Sequence, residues 1–465
     1  MTDRYSDLLR QKLTVKWGED KGPIDMSSHS MGIGGIHPTP PSKAIVEATA
    51  ALKPQMIRIF IQEFFYIYKG NGEYDWSALD AYMDAVHAMG GDIMATICNK
   101  PNALYPKVNE SIWMPTDVAE WQEMIRNMVV RYTKEKPYVT HWGIANEQNI
   151  GELGGCPYMI KNPDEYYEYY KFTAAPIHET LPDVKVGGSS HAGGGQAASD
   201  YNKRFLELCI RDGVAVDFVS YNSYNDSPGG HAQDARIIRD MLDKVKPDVK
   251  LYMTEFNIAI DDGLSLEEKP YEPACAASLA ASIISLYNDG SLEGSFQYHI
   301  YDQYCDPRLF APWYERARYM ARYWNDTVNR VGLVDQKGKA RPQYFVYKLL
   351  YKLSGKRVGM CGTSNLVNGI ASKSDDGTLS LLLVNYGGRN TPDCVTRLFF
   401  EDAPEGLYTM KVSKIDKANC NKMKDDFMYE LPLSEDRLAY VHPDFQFDVL
   451  IPGETVCLVQ FVKAE

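Results

Sequence analysis

The sequence has no apolar stretch that is long enough to cross a membrane. Its longest, Pro273 to Tyr287, is shorter than the roughly 20 residues that a span needs, and its Ala, Ser, Leu and Ile composition is typical of a buried helix. Basic residues are also few, because 49 Lys and Arg stand against 62 Asp and Glu and give a net charge of −13. Such a charge repels phosphate backbones and anionic lipids. We therefore expect neither a membrane nor a nucleic acid as a partner, which leaves small neutral ligands.

Sequence patterns for a metal, a cofactor or a disulfide are also missing. The nine cysteines are scattered without a C-x-x-C pair, which predicts neither a zinc site nor a disulfide framework. His178-Glu179 has no second His at zinc-binding spacing, and the segment Gly32 to His37 lacks the third glycine of a dinucleotide fingerprint. The charged start of the chain lacks the apolar core of a signal peptide. These features predict a cytoplasmic protein with no metal and no cofactor.

Between about residues 30 and 350, short apolar runs alternate with longer amphipathic segments, which predicts parallel βαβ units. Eight such units fit a closed (β/α)8 TIM barrel of about 250 residues plus insertions. An open doubly wound sheet is the alternative, and it usually carries the glycine fingerprint that is missing here. The eight runs are Met31 to Ile36, Met56 to Ile61, Asp92 to Ile97, His141 to Ala145, Val184 to Gly188, Phe218 to Tyr221, Lys250 to Thr254 and Gly294 to His299. The helices predicted between them include Trp76 to Met89, Asp117 to Glu135, Pro163 to Leu181, Asp234 to Val245 and Pro273 to Asn288.

After about Ser354 the helical patterns stop, and alternating runs separated by Gly, Pro, Asn and Asp predict a small antiparallel β-sandwich. We divide the chain into an N-terminal arm (1–28), a catalytic barrel (29–350) and a β domain (351–465). The arm contains a β-like run and can add a strand to the β domain. Exposed edges of that domain leave homo-oligomer formation open. The predicted strands of the β domain are Thr378 to Asn385, Leu407 to Val412, Phe445 to Ile451 and Thr455 to Val462.

Two glutamates stand where predicted barrel strands end. Asn146-Glu147 closes the fourth apolar run and Glu255 closes the seventh. Functional groups of α/β barrels gather at the carboxyl ends of the strands, so both side chains are expected at one barrel mouth. A retaining glycosidase needs two carboxyl groups about 5–5.5 Å apart, of which one attacks the anomeric carbon and the other protonates the leaving oxygen. Each glutamate, taken alone, is equally well explained as a loop cap or the partner of a basic neighbour.

Several segments resemble glycoside hydrolase family 39, a clan A family that includes β-xylosidases and α-L-iduronidases. Asn146-Glu147 and Thr254-Glu255 are similar to the acid/base and nucleophile positions of that clan, and the likeness covers about residues 30 to 350. The other matching segments are Ile57 to Phe60, Asn99 to Leu104, Lys185 to Gly188, Val216 to Ser220 leading to Tyr224, and Arg341 to Leu350. Each motif is weak by itself, whereas their order and spacing are specific. The family also carries a β-sandwich after its barrel.

The resemblance implies a retaining exo-glycosidase, similar to β-xylosidases, that releases terminal sugars from β-linked oligosaccharides or glycosides. Glu147 would be the general acid/base, Glu255 the nucleophile, and Asn146 a partner of the sugar 2-hydroxyl. Tyr224 would donate a hydrogen bond to the nucleophile, and Arg58 would keep it ionised. A purely structural role for Arg58, tying barrel strands together, is equally compatible with its position.

Four further residues are expected to bind substrate. Asn222 and Asn257 offer amides to sugar hydroxyls, and Tyr298 or His299 stands where the clan often has a Trp at the end of strand eight. Acidic residues are expected around the mouth, with few cations to balance their charge. Because this negative charge would repel a uronic acid, the sequence favours a neutral sugar. The acidic residues are Glu63, Glu152 and Asp302, and the cations are Lys100 and Arg308.

Two other functions remain open on the sequence alone. One is a carbohydrate-binding protein on a TIM-barrel scaffold that has lost turnover, which the altered residues of strands two and eight would reflect. The other is a barrel enzyme that acts on a substrate other than sugar. The presence of both glutamates at matching strand ends favours the glycosidase over either alternative.

Overall fold

The computed structural model describes residues 9–34, 37–227, 229–258, 269–310, 312–323, 325 and 331–464. Residues 1–8 of the predicted arm and residues 35 and 36 of the first predicted run lie outside the described residues. The described strands are β1 (Leu9–Pro23), β2 (His29–Gly32), β3 (Met56–Gln62), β4 (Tyr68–Gly70), β5 (Glu73–Tyr74), β6 (Asp92–Cys98), β7 (Val139–Ile144), β8 (Lys185–Ala192), β9 (Phe218–Tyr224), β10 (Lys250–Asn257), β11 (Gly294–Tyr298), β12 (Lys356–Cys361), β13 (Val367–Lys373), β14 (Leu379–Asn385), β15 (Cys394–Glu401), β16 (Gly406–Ile415), β17 (Leu433–Val441), β18 (Gln446–Ile451) and β19 (Thr455–Lys463). The described helices are α1 (Lys43–Ala50), α2 (Ser77–His87), α3 (Val118–Val129), α4 (Pro163–Thr180), α5 (Gly195–Asp212), α6 (Gly230–Val245), α7 (Pro273–Asp289), α8 (Pro307–Phe310), α9 (Ala317–Tyr323), α10 (Pro342–Leu350) and α11 (Lys417–Asp425).

Eight of the described strands close into a parallel barrel. They follow one another around it as β2, β3, β6, β7, β8, β9, β10 and β11, and β11 pairs back to β2. Each predicted apolar run overlaps one of these strands, so the α/β barrel is confirmed. The strands are buried on both faces, and β3 is buried at every position after Met56. This explains why they read as continuous apolar runs rather than as alternating ones.

Local signals account for the helix starts around the barrel. The Asp117 side chain caps α3 by accepting a hydrogen bond from the N–H of Glu120 at 3.0 Å. Helix α4 is capped by Asn162 and has Pro163 as its first residue, a position where the missing N–H of proline costs no helical bond. The predicted helix Asp117 to Glu135 is divided in the structure, because a π-helical turn over Val130–Glu135 follows α3.

The longest apolar stretch of the sequence forms α7, and the predicted buried helix is confirmed. This helix lies between α6 and α10 and against β13, β14, β16 and β19. Its small side chains Ala276, Ala277 and Ala280 are 0% exposed, which allows its neighbours to approach closely. Helix α7 therefore joins the barrel to the second sheet. No helix in the described part of the chain, α7 included, is both long and apolar enough to cross a membrane.

Nine of the described strands form that second sheet, in the order β17, β16, β19, β14, β13, β12, β1, β15 and β18. The sheet folds onto itself as a sandwich, since the ring centroids of Phe400 on β15 and Phe461 on β19 lie 5.5 Å apart. Its pairs are antiparallel except for β1 with β15, which are parallel. A parallel pair needs a long connection between its strands, and here that connection contains the whole barrel and the strands β12, β13 and β14.

The prediction that helical patterns stop after Ser354 is wrong at one place. Helix α11 lies between β16 and β17, and the Asp416 side chain caps it by accepting from the N–H of Asn419 at 2.9 Å. Only Asn419, Cys420 and Met423 of its nine residues are buried. Two apolar contacts are too few to produce a visible helical period, which is why the sequence pattern missed it.

Candidate active site

Glu147 follows β7 at the carboxyl end of the barrel, in a sharply turned backbone. The φ angle is 66° at Ala145 and 47° at Glu147, in the left-handed region that few residues other than glycine adopt. The N–H of Glu147 donates to the carbonyl oxygen of Ser190 on β8 at 2.9 Å. This bond holds the turn against the neighbouring strand. Unfavourable backbone angles of this kind cluster at functional sites.

Glu255 lies on β10 and is 5% exposed. Arg58 donates from Nη1 to Oε1 of Glu255 at 2.8 Å, and the Tyr224 hydroxyl donates to Oε2 at 2.8 Å. Hydrogen bonds to an ionised carboxylate are stronger than those between neutral groups. The carboxylate of Glu255 is therefore held in one orientation, with a guanidinium beside it.

Arg58 on β3 connects the two halves of this site. It is 1% exposed, and besides Glu255 it donates from Nη2 to Oδ1 of Asn146 at 2.7 Å and from Nη1 to the carbonyl oxygen of Thr254 at 3.1 Å. Its guanidinium carbon also lies 4.3 Å from the centroid of the Phe60 ring, within cation–π range. The two sequence-based explanations of Arg58 are thus compatible, since one side chain both contacts Glu255 and ties strands together.

Asn222 on β9 contacts Glu147. Its Nδ2 donates to Oε1 of Glu147 at 2.8 Å, and its Oδ1 accepts from the Thr254 hydroxyl at 2.9 Å. Burial and, after it, the negative charge of Glu255 raise the pKa of Glu147 to about 8, although the Asn222 hydrogen bond and Arg58 act in the opposite direction. At neutral pH this raised pKa favours the protonated form of Glu147, whereas Glu255 beside it is paired with Arg58.

The arrangement places a carboxyl group with a raised pKa and a carboxyl group paired with arginine at one barrel mouth, and glycoside hydrolysis uses two carboxyl groups. Within the described residues, no group of three or more His, Cys, Asp and Glu side chains is arranged to hold a metal ion.

Comparison with known proteins identifies the family. The model described as "Glycosyl hydrolases family 39" matches residues 57–426. The chain belongs to glycosyl hydrolase family 39. A curated β-xylosidase from Caldicellulosiruptor saccharolyticus is 21% identical over 266 residues, which are 53% of this chain and 49% of that protein. The family 39 chain thus spans about half the length of this relative.

Solved structures share the fold over nearly the whole length of this family 39 chain. A monomeric β-xylosidase from Caulobacter crescentus CB15 is 17% identical with a TM-score of 0.74, covering 98% of this chain and 100% of that one. A GH39 enzyme from Xanthomonas axonopodis pv. citri is 18% identical with a TM-score of 0.71 and covers 100% of both chains. The likeness therefore includes both the barrel and the second sheet.

Asn257 lies beside this site, and most of its hydrogen-bonding capacity is used inside the protein. Its Nδ2 donates to the carbonyl oxygen of Tyr298 at 2.6 Å, and its Oδ1 accepts from the N–H of Ile258 at 2.8 Å and from Nε2 of Gln343 at 3.1 Å. An amide has two N–H groups and two acceptor lone pairs, so one N–H is left for another partner. In the structure Asn257 ties β10 to β11 rather than presenting both of its polar atoms to a sugar.

Tyr298 and His299, the residues predicted to replace the Trp of strand eight, are both buried. They are 2% and 0% exposed, and Nδ1 of His299 is bonded to the carbonyl oxygen of Tyr301. The Tyr298 ring contacts the Tyr224 ring edge-on at 6.4 Å between centroids. Tyr298 therefore lies behind the hydroxyl group that contacts Glu255, and neither ring has the exposed face that sugar stacking requires.

The three acidic residues expected around the barrel mouth are buried in the structure. Glu63 and Glu152 are 2% and 0% exposed, so their carboxyl groups are shielded from solvent. Asp302 accepts from Nη1 of Arg341 at 2.6 Å, and this ion pair balances its charge. The position of these residues after barrel strands predicted that they lie near the mouth. Their burial depends on how the neighbouring loops cover them, which sequence position does not reveal.

Sequence reasoning missed two residues that border the site. Ser190 on β8 accepts from Nη2 of Arg58 at 3.4 Å and lies 3.2 Å from the hydroxyl oxygen of Thr254. Gly154 lies directly against Glu147, because a Cβ at this glycine would be 2.3 Å from Oε2 of Glu147. A strand-end serine is a visible signal, whereas the proximity of Gly154 depends on the loop conformation.

Proposed function

We propose that this family 39 enzyme is a retaining exo-glycosidase that releases terminal, neutral, β-linked sugars, xylose before others, from short oligosaccharides or glycosides. The observation that carries the proposal is the difference between the two carboxyl groups. Burial raises the pKa of Glu147 to about 8, as a general acid requires, while Glu255 accepts hydrogen bonds from Arg58 and Tyr224, as suits an anionic nucleophile. The likeness to β-xylosidases supports xylose as the first candidate sugar.

In the first step, the Glu147 carboxyl donates its proton to the glycosidic oxygen while an oxygen of Glu255 attacks the anomeric carbon. The bond between that carbon and the leaving oxygen breaks, and its electron pair remains on the departing alcohol. A glycosyl ester of Glu255 results. The hydrogen bond from Tyr224 and the ion pair with Arg58 hold the attacking carboxylate in position, which lowers the entropy cost of reaching the transition state.

In the second step, Glu147 removes a proton from water, and the water oxygen attacks the anomeric carbon. The ester bond breaks and Glu255 regains its negative charge. The change of role from acid to base follows from the site electrostatics. Esterification of Glu255 removes the charge that helps to raise the pKa of Glu147, so that pKa falls and Glu147 becomes the carboxylate that accepts a proton.

The cations predicted near the mouth support a neutral sugar. Lys100 donates from Nζ to the carbonyl oxygens of Asn109 at 2.7 Å and Pro157 at 3.0 Å. Arg308 is paired with Asp306, and Arg58 with Glu255. A uronic acid would bring a carboxylate into the site, and these cations, which already bind other groups of the protein, would pair with it poorly. We expect kcat/KM for a β-xyloside to exceed that for the matching β-glucuronide by about 100-fold or more.

The sugar is tested with a panel of nitrophenyl glycosides: β-xyloside, β-glucoside, β-galactoside, β-glucuronide, α-L-arabinoside and α-L-iduronide. Wild type and Glu255→Ala are assayed in parallel, and we expect release of nitrophenol from the β-xyloside by wild type only. Equal activity of Glu255→Ala would overturn the assignment of the nucleophile. A panel on which wild type is silent would overturn the substrate class and favour a longer glycan or a carbohydrate-binding protein.

Retention and the covalent intermediate are tested with a 2-deoxy-2-fluoro glycoside that carries a good leaving group. We expect mass spectrometry to find the fluorosugar on a peptide that contains Glu255, and proton NMR to show the β-anomer as the first product of the natural reaction. An α-anomer as first product would mean inversion.

Release of xylose alone from xylo-oligosaccharides supports exo action, whereas early release of internal fragments contradicts it.

A further inference from the structure

Glu152 is a buried carboxylate close to the acid/base residue, and the reaction described above does not use it. It lies on a single 3-10 turn, Gly151–Gly154, and is 0% exposed. Its Oε1 accepts from the N–H of Glu315 at 2.8 Å, and its Oε2 accepts from both the N–H and Nε of Arg316, each at 3.2 Å. The carboxylate therefore receives three hydrogen bonds, one of them from a cation, all from the loop that follows β11.

A second carboxylate closes this cluster. Glu110, in the loop after β6, accepts from the N–H of Glu152 at 3.0 Å and from Nη2 of Arg316 at 2.8 Å. Glu110, Glu152 and Arg316, here called the glutamate clamp, join the loops that follow β6, β7 and β11. Glu152 is the buried member of the clamp, whereas the Arg316 side chain is 41% exposed. Removing the Arg316 cation would leave the Glu152 charge buried without its ion-pair partner.

The turn that carries Glu152 also forms the surface behind Glu147. A Cβ at Gly154 would lie 2.3 Å from Oε2 and 2.4 Å from Cβ of Glu147, so the backbone of the turn is in contact with the acid/base side chain. The carbonyl oxygen of Gly154 accepts from Nδ2 of Asn146 at 3.2 Å. The clamp is thus separated from the two residues at the end of β7 by a single turn of backbone.

We propose that Glu152 is a positioning residue for acid catalysis: through the glutamate clamp it holds Gly154 against Glu147, and so fixes both the direction of the Glu147 carboxyl group and its shielding from water. This inference rests on the proposed role of Glu147. A proton donor must lie within hydrogen-bond reach of the leaving oxygen, and small displacements of reacting groups are costly. Loosening the turn impairs proton donation without removing the donor.

Glu152→Gln tests the proposal, since it preserves shape and one acceptor oxygen but removes the charge. With xylobiose, whose leaving group needs a proton, we expect kcat/KM to fall by about 10- to 100-fold. With 2,4-dinitrophenyl β-xyloside, whose leaving group departs without a proton, we expect a change below about threefold. A merely destabilised enzyme loses active molecules and is impaired equally on both substrates.

Two variants calibrate this experiment. Gly154→Ala leaves the clamp in place but displaces Glu147, so it should reproduce the selective loss on xylobiose. Asp80→Asn weakens a different ion pair, with Arg131 on the outside of the barrel, and should not distinguish the two substrates. Equal losses in Glu152→Gln on both substrates, or no loss on either, would overturn the positioning role.

A measurement without substrate gives a second, independent readout. The ionisable groups that face Glu147 are Glu255 on β10, Arg58 on β3 and Tyr224 on β9, and Glu152→Gln changes none of them. Admission of water to Glu147 should therefore lower the pKa of this group by about half a unit or more, because partial exposure to water favours the charged form of a carboxyl group. Carbon-13 NMR of carboxyl-labelled protein, assigned with Glu147→Gln, measures it. An unchanged pKa contradicts the proposal.

The design separates two failures. If Glu147→Gln cleaves xylobiose as well as wild type does, the proposed function itself is wrong. If Glu147→Gln loses this activity and spares the dinitrophenyl substrate, while Glu152→Gln shows no such preference, only the positioning role is wrong.

Discussion

At the scale of single residues, the two carboxyl groups of the site differ because their neighbours differ. Glu147 has one amide donor, from Asn222, and packs against backbone, whereas Glu255 is contacted by a guanidinium and a phenol. The first environment favours a neutral acid and the second an anion. One barrel mouth thus places two carboxyl groups in different electrostatic environments.

The pH dependence of the reaction follows from this difference. The first step needs protonated Glu147, whose pKa is raised to about 8 by burial and by Glu255. We therefore expect kcat/KM for xylobiose to fall as the pH rises through about 8, because the ionised form of Glu147 has no proton to donate. With 2,4-dinitrophenyl β-xyloside the same limb should be weak or missing. Identical alkaline limbs for both substrates would contradict the role of Glu147.

Tyr224 provides a second prediction at this scale. Tyr224→Phe removes the hydroxyl that donates to Oε2 of Glu255, and a hydrogen bond to a charged group contributes about 1.5–3 kcal/mol, so we expect kcat to fall by about 10- to 100-fold. Tyr221→Phe is the matched control, since Tyr221 lies on the same strand and its buried hydroxyl has no hydrogen-bond partner among the described residues. Steady-state kinetics of both variants are compared. Similar losses in the two would show that the effect is not specific to Glu255.

At the scale of secondary structure, the periodicity of apolar residues in the sequence predicted most elements. Eight apolar runs correspond to eight barrel strands, and helices such as α4 begin where Asn and Pro signal a start. Elements with little apolar periodicity were missed, as α11 illustrates. Periodicity reports which face of an element is buried, so an element with two buried apolar side chains gives almost no signal.

Helix α7 carries a prediction at this scale, because it is enclosed by the barrel helices and by the second sheet. Ala277 is 0% exposed, and a larger side chain there must displace its neighbours. We expect Ala277→Leu to lower the free energy of unfolding by about 1–3 kcal/mol. Asn288→Ala, at the exposed end of the same helix, should change it by less than about 0.5 kcal/mol. Urea unfolding followed by circular dichroism measures both, and an unchanged midpoint for Ala277→Leu would mean that space remains around the helix.

At the scale of the whole molecule, the two ends of the chain meet in one sheet. Strand β1 lies between β12 and β15, so residues before the barrel complete the sandwich that follows it. Trp17 on β1 is 4% exposed, and its ring centroid lies 5.2 Å from that of Phe400. The sandwich core therefore includes a strand that precedes the barrel in the sequence, whereas the other strands of the sandwich follow the barrel.

Trp17→Ala tests this dependence. Removing a buried aromatic ring costs about 3–5 kcal/mol of unfolding free energy, and we expect the melting temperature to fall accordingly. The kcat of the molecules that remain folded should be unchanged, because the carboxyl groups lie in the barrel. Lys12→Ala on the exposed face of β1 serves as the control and should have little effect. A loss of kcat in folded Trp17→Ala would mean that the sheet also shapes the site.

The sequence by itself determined the barrel, the sandwich after it and the two glutamates at strand ends. These features are local, since they depend on periodicity and on the residues that close each apolar run. Only the tertiary structure decided that Asn222 contacts Glu147, that Tyr298 and His299 are buried, that β1 pairs with β12 and β15 in the second sheet, and that Glu152 joins loops through Arg316. Such contacts depend on which distant segments become neighbours and on how deeply they exclude water, and neither quantity is encoded in the spacing of residues along one strand.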